Sequence, residues 1–310
     1  MKNLIRPSVQ ELVAYTPGEQ PKVAGLIKLN TNENPYPPSP AVTRRLREFS
    51  ADSLRLYPDP VCSALRERIA GLCGVRSEQV FVGNGSDEVL RLAIRAFTEP
   101  GGAVAAFDPT YSLYPVLAAA EEVAYRTVPL PDGFGWTEPP EGMDASLFLL
   151  ANPNAPTGVF YPVEAIRDFC VRFPGVVLVD EAYVDFSGGR DGLSLVRELP
   201  NALVCRTLSK SFSLAGLRIG YAIGSPELIG ALYKLKDSYN VDRLAQAVAL
   251  AAMEDMAWMQ DNARRLVATR ERVAAELDQR GFRVVPSAAN FLFVEPPAGT
   301  SAADLFAALR

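Results

Sequence analysis

Short, nearly unbroken apolar runs recur along this chain, and each leads into a glycine, an aspartate or a small polar residue. Val80-Phe81-Val82 runs into Gly83, Val176-Val177-Leu178-Val179 into Asp180, and Ala202-Leu203-Val204-Cys205 towards Thr207. A strand covered on both faces reads as a continuous run, not as an alternation. On that basis strands are expected at 79–83, 103–107, 122–128, 146–151, 176–180, 202–208 and 218–224. Helical periodicity fills the intervals at 86–97, 113–120, 163–172 and 226–236. This order predicts an α/β fold, a mainly parallel seven-stranded sheet between helices. Residues before about 55 are rich in Pro and Asn and stand outside the alternation. A helical stretch over 243–280 leads to 282–286, 290–294 and a helix from Ser301, which read as part of a second, smaller domain.

Composition narrows the function. With 310 residues, 48% hydrophobic and 22% charged, the chain can bury a sizeable core and form a large unit with a satellite. A net charge of −5 argues against nucleic acid as a partner. No run of about 18 apolar residues predicts a membrane span. The opening Met1-Lys2-Asn3-Leu4-Ile5-Arg6-Pro7 is too polar for a signal peptide, so a cytoplasmic protein is expected. Cys62, Cys73, Cys170 and Cys205 have neither CxxC nor metal-site spacing and read as buried thiols in a reducing compartment, with no metal. There is no histidine at all. Serine–histidine hydrolysis and histidine-ligated metals are excluded, and a general base must be Lys, Glu, Asp, Tyr or Cys.

In open α/β sheets ligands sit beyond the carboxyl ends of the strands, so the residues there carry the functional signal. The most informative is Thr207-Leu208-Ser209-Lys210-Ser211-Phe212-Ser213-Leu214-Ala215-Gly216-Leu217-Arg218. A lysine set among hydroxyls can form an imine with an aldehyde, and the hydroxyls with Arg218 can hold a phosphate dianion. Pyridoxal 5'-phosphate (PLP) carries both groups and also wants an acid facing its pyridine nitrogen. Asp180 ends a buried run, where a lone carboxylate is costly unless paired, and Tyr183 follows within reach of the ring's 3-oxygen. Asn84-Gly85-Ser86-Asp87-Glu88 opens a helix, either as a phosphate site or as a plain N-cap. Tyr111 is a candidate ring-stacking residue or a packing one. Asn152-Pro153-Asn154-Ala155-Pro156-Thr157-Gly158 is a rigid turn, with an asparagine amide as its possible ligand group.

Taken in this order, the chain resembles the fold-type I PLP-dependent aminotransferases, specifically the histidinol-phosphate aminotransferase branch. The resemblance runs from Ala14-Tyr15-Thr16-Pro17-Gly18 and Leu29-Asn30-Thr31-Asn32-Glu33-Asn34-Pro35 through Arg55-Leu56-Tyr57-Pro58-Asp59. It continues through the strand-end motifs, including Asp180-Glu181-Ala182-Tyr183-Val184-Asp185-Phe186, to Asn290-Phe291. It implies an N-terminal arm over 1–54, a large PLP-binding domain over 55–245, and a linking helix with a partial small domain over 246–310. It also implies a catalytic Lys210 that forms the Schiff base and moves the proton, with Asp180 on the pyridinium. Tyr183 and Asn154 approach the 3-oxygen, and Tyr111 stacks on the ring. Ser86, Asp87, Thr207, Ser209 and Arg218 surround the phosphate. Asn34 and Asn290 are the implied substrate contacts. Tyr57 resembles a tyrosine that reaches the neighbouring subunit's phosphate, implying a homodimer with shared sites.

Two departures accompany the resemblance. Ala155 stands where the family often has asparagine, which leaves Asn154 as the nearest candidate. Members of the branch also run beyond Arg310, so the small domain is expected to be C-terminally incomplete and to lack a carboxylate-binding arginine. The implied reaction passes an amino group between L-histidinol phosphate and 2-oxoglutarate. An aromatic amino-acid aminotransferase, a threonine-phosphate decarboxylase and a non-catalytic binding module of the same fold are the alternatives.

Overall fold

The computed structural model describes residues 4–20, 22 and 25–310; part of the leader-peptide reading, on Met1 to Asn3, lies outside them. Seven strands form one sheet: β1 Val80–Gly83, β2 Ala103–Asp108, β3 Ala124–Pro129, β4 Leu147–Ala151, β5 Val176–Asp180, β6 Ala202–Thr207 and β7 Gly220–Gly224. Their spatial order is β1-β7-β6-β5-β4-β2-β3. From β3 to β6 all pairings are parallel, whereas β7 runs antiparallel to both β6 and β1.

The apolar runs are continuous because both sheet faces are covered. Successive side chains alternate between faces. Leu147, Leu149, Leu178, Leu203 and Cys205 enter one buried layer with the helices Ser86–Phe97, Leu113–Ala120 and Pro226–Leu235. Phe148, Leu150, Val177, Val179 and Val204 enter the other, beneath Ser63–Cys73, Val163–Arg172, Leu193–Glu198 and Arg243–Glu254. Edge strand β3 is the exception, with Arg126 and Thr127 exposed and Pro129 at its end, features suited to an edge.

Three sequence boundaries move for identifiable reasons. The strand expected from 218 begins at Gly220, because Arg218 is left-handed at φ 57° after a short turn over Ala215–Leu217. The strand expected from 122 begins at Ala124, because Glu122 is also left-handed. The expected 243–280 helix is two, Arg243–Glu254 and Met256–Gln279, parted at Asp255, whose carboxylate accepts a hydrogen bond from the Ser39 hydroxyl. Neither glycine nor proline marks that break. The Pro-rich opening carries a helix of its own, Pro40–Glu48, capped by Ser39 with proline at its first position.

The tail forms a two-stranded antiparallel sheet, β8 Arg283–Val285 with β9 Phe293–Glu295, followed by the helix Ala302–Leu309. Among the described residues no helix is long and apolar enough to cross a membrane.

Gly220 is where the sheet permits the closest approach. A Cβ there would fall far inside van der Waals contact of the Ser86 amide nitrogen and the Gly85 carbonyl carbon. Gly220→Ala is therefore expected to destabilise the protein by about 1–3 kcal/mol. Gly230→Ala, on a helix with nothing within 4 Å, should be neutral or stabilising by about 0.5–1 kcal/mol. Urea titration of both variants checks the contrast.

Candidate active site

Because β7 runs against its neighbours, its start lies at the carboxyl edge of the sheet, where Gly83 and Thr207 both pair with Gly220. The ends of β1, β2, β4, β5 and β6 and the start of β7 thereby open on one cavity of about 650 Å³. Lys210 follows β6 and lies in this cavity. Its Nζ donates to the Thr31 carbonyl at 2.8 Å and sits 5.4 Å from the centre of the Tyr183 ring. Burial lowers the pKa of this amine; Glu33 and Asp87 oppose the shift, and Arg218 and Lys28 reinforce it. The lysine loop is clamped from outside. Asn34 Nδ2 donates to the carbonyls of Lys210 and Ser211 at 3.1 and 3.2 Å, and the Ser211 hydroxyl bonds Asp185.

On one side of the lysine stands a nest of donors. The helix Ser86–Phe97 starts after Gly85, which is left-handed at φ 83°, and its first N–H groups have no acceptor within the helix. Arg218 reaches over this start, with its guanidinium 3.2 Å from Asp87 and 3.4 Å from the Ser209 hydroxyl. Thr207 donates to Ser209 at 3.0 Å. A Cβ on Gly85 would collide with the Arg218 guanidinium, so glycine is what lets helix start and arginine share the space. Amides, two hydroxyls and a guanidinium around one hollow suit a phosphate dianion.

Asp180 also lines the cavity and is only 5% exposed. Tyr114 donates to its Oδ2 at 2.9 Å and the Ala182 amide to its Oδ1 at 3.2 Å; neither partner is a cation. Burial pushes its pKa up to about 6, against the pull of those two hydrogen bonds. Such a carboxylate gains most from a cation brought by a ligand. Tyr183 receives a hydrogen bond from Asn32 Nδ2 at 3.2 Å, and burial raises its pKa to about 12, so it remains a phenol. Tyr111 lines the cavity and packs edge-on against Tyr114, with centroids 5.5 Å apart. These residues fit PLP: an amine for the aldehyde, a nest for the phosphate, an uncompensated acid for the ring nitrogen and an aromatic side chain for the ring.

Four sequence candidates lie elsewhere. Asn154 does not line the cavity. Its amide donates to Pro109 O and Thr157 Oγ1, both at 3.0 Å, and its oxygen accepts from Thr110 at 2.8 Å, so the side chain is consumed in holding the turn. Ala155 occupies the lining position. Asn34 serves the lysine loop rather than the cavity. Asn290 donates to the Asn32 carbonyl at 3.0 Å, while its neighbours Phe291, Leu292 and Phe293 form the wall. Tyr57 is 76% exposed and stacked on Tyr239, away from its own chain's cavity. Thr31, Asn32 and Glu33 line the cavity and had no assigned role in the sequence. Their signal was Asn32 itself, left-handed at φ 54°, a conformation asparagine tolerates better than most residues. Among the described residues no cluster of His, Cys, Asp and Glu has the makings of a metal site.

Comparison with known proteins gives a consistent result. The family model described as aminotransferase class I and II matches residues 24–310. Histidinol-phosphate aminotransferase 2 of Gluconobacter oxydans is 48% identical over 306 residues, covering 97% of this chain and 86% of the relative. The histidinol-phosphate aminotransferase of Chromohalobacter salexigens is 51% identical over 300 residues, covering 95% and 84%. Among solved structures, the histidinol-phosphate aminotransferase of Sinorhizobium meliloti in complex with pyridoxal-5'-phosphate superposes with a TM-score of 0.86. It is 26% identical and covers 98% of this chain and 84% of its own.

The raised pKa of Asp180 has a thermodynamic signature in the ligand-free protein. The folded carboxyl binds its proton more tightly than the unfolded one, whose value is near 3.8. Its contribution is therefore most favourable below pH 4 and is lost as pH rises towards 6. Asp180→Asn removes that loss. The variant should exceed the parent at pH 7.5 by up to about 3 kcal/mol, with the gap closing between pH 6 and 4. Melting curves across that range measure it.

Proposed function

From the class I and II aminotransferase family, to which this chain belongs, we propose that it is a PLP-dependent histidinol-phosphate transaminase acting in the cytoplasm. It passes the amino group of L-histidinol phosphate to 2-oxoglutarate, giving imidazole-acetol phosphate and L-glutamate. One observation carries the choice of substrate: relatives named for this reaction remain about half identical over nearly the whole chain. Four buried free cysteines, as expected of thiols in a reducing compartment, support the location.

Bound PLP supplies an aldehyde carbon and a conjugated ring that takes up the electron pair left at the donor's Cα. This chain's residues do the rest. The Lys210 amine would hold the cofactor through its aldehyde and would be the group that moves the Cα proton. Its lowered pKa leaves more of it as the free base at neutral pH, which suits a nucleophile and a general base in a chain without histidine. Asp180 would hold the ring nitrogen in its protonated form. The Tyr183 phenol would donate to the 3-oxygen, Tyr111 would cover the ring, and Ser86, Asp87, Thr207, Ser209 and Arg218 would hold the phosphate. Phe291, Leu292 and Phe293 give the cavity an apolar wall beside these groups.

The proposed organisation is an arm over 1–54, a large domain over 55–245 and a small domain from 246, assembled as a homodimer with shared sites. Support comes from the arm and the Tyr57 loop, which expose Val13, Ile27, Leu29, Leu54, Leu56 and Tyr57 to solvent. Such a concentration of exposed apolar side chains is usual for an interface.

Borohydride reduction should fix the cofactor on Lys210, located by peptide mapping, and Lys210→Ala should lower kcat about 10⁴-fold or more. Sedimentation should give about twice 33.6 kDa. In a panel of amino donors, L-histidinol phosphate should give the highest kcat/KM. Equal or better use of aromatic amino acids would replace the substrate assignment and leave the transaminase chemistry in place.

A further inference from the structure

Adjacent carboxylates at the end of β5 are treated in opposite ways. Glu181 points to one face of the sheet and is neutralised there by Arg206, whose Nη2 lies 2.7 Å away. Asp180 points to the other face and meets a phenol. Tyr114 is fully buried on the helix Leu113–Ala120, a turn after Tyr111. Its hydroxyl is 2.9 Å from Asp180 Oδ2, while the Ala182 amide holds Oδ1. Its ring also meets that of Tyr111 in a T-shaped contact, with an interplanar angle of 84°. One side chain thus braces both the acid and the aromatic residue of the ring site.

We propose that Tyr114 is a positioning residue for the reaction, orienting Asp180 and keeping its charge uncancelled for a ligand's ring nitrogen. This rests on the reading of Asp180 as the partner of that nitrogen. A neutral donor is the group this role requires. A lysine or arginine in its place would pair with Asp180 and compete with the pyridinium, as Arg206 pairs with Glu181. A histidine would do so in its protonated form and would change charge near neutral pH. A phenol donates one hydrogen bond and brings no charge. Burial together with the Asp180 charge raises its own pKa well above 10, so it stays a donor throughout the working range. The other charged or titratable groups facing Asp180 among the described residues are Asp87 and Lys210 across the cavity, the phenols of Tyr111 and Tyr183, which burial keeps protonated, and Cys205, its register partner on β6, whose buried thiol stays neutral. None of them supplies a competing hydrogen bond to the carboxylate.

Tyr114→Phe removes one oxygen and leaves the packing of the ring. In the ligand-free protein, infrared difference titration, with Asp180→Asn identifying the carboxyl band, should show Asp180 protonating about one pH unit higher in Tyr114→Phe. In the holoenzyme kcat should fall about 10- to 100-fold, with the KM for the amino donor unchanged and the acid limb of the kcat profile moved upward. Adding Tyr114→Phe to Asp180→Asn should cause no further loss, since the phenol acts through the acid. An unchanged ligand-free titration, or additive losses in the double variant, overturns the proposal. A shifted titration together with full turnover in Asp180→Asn would overturn instead the reading of Asp180 on which it rests.

Discussion

The ladder of hydrogen bonds that holds β7 antiparallel between β1 and β6 is the constraint on which the site depends. A parallel strand in that place would send its start to the opposite edge and carry Arg218 away from Lys210. Reversed, it delivers Arg218 and Gly220 to the carboxyl edge beside the ends of β1 and β6. The missing side chain of Gly220 then lets the start of the Ser86–Phe97 helix settle against the sheet, and the missing side chain of Gly85 leaves room for the guanidinium. The anion nest is thus a result of backbone direction and two absent Cβ atoms more than of any single donor.

Charge is arranged around the same edge with economy. Arg218 is partly balanced by Asp87, and Glu181 is balanced by Arg206, whereas Asp180 has only neutral donors. Lys210 is desolvated, which weakens its hold on a proton without an adjacent positive charge having to dominate. The acid and the base of the site are therefore both displaced toward neutrality, the acid upward and the base downward. Both shifts arise mainly from burial in one cavity.

The sheet was legible because continuous apolar runs have few other solutions, and all seven expected strands appear in one sheet. The residues immediately after β1, β2, β5 and β6 were legible because strand ends at the carboxyl edge converge. What escaped the sequence was direction of use. Asn154 and Asn34 sit in the right motifs, but their amides are spent on Thr110, Pro109 and Thr157 in one case and on the lysine loop in the other. A one-dimensional motif places an asparagine near a site without saying which of its neighbours it serves. Tyr114 was passed over because a buried tyrosine in a helical pattern reads as core, and most of its surface is core. The break at Asp255 carries no glycine or proline; it is fixed by Ser39, more than two hundred positions away.

The contacts that finish the site are distant along the chain. Lys210 bonds the carbonyl of Thr31, 179 positions earlier, and Asn290 bonds Asn32 from 258 positions away. Contacts of such span close large loops, and the entropy of closure makes them slow to form relative to local helices. During synthesis the Thr31–Asn34 segment leaves the ribosome long before either partner exists. The cavity is consequently among the last parts of the molecule to be completed, well after most of its helices and the first half of its sheet.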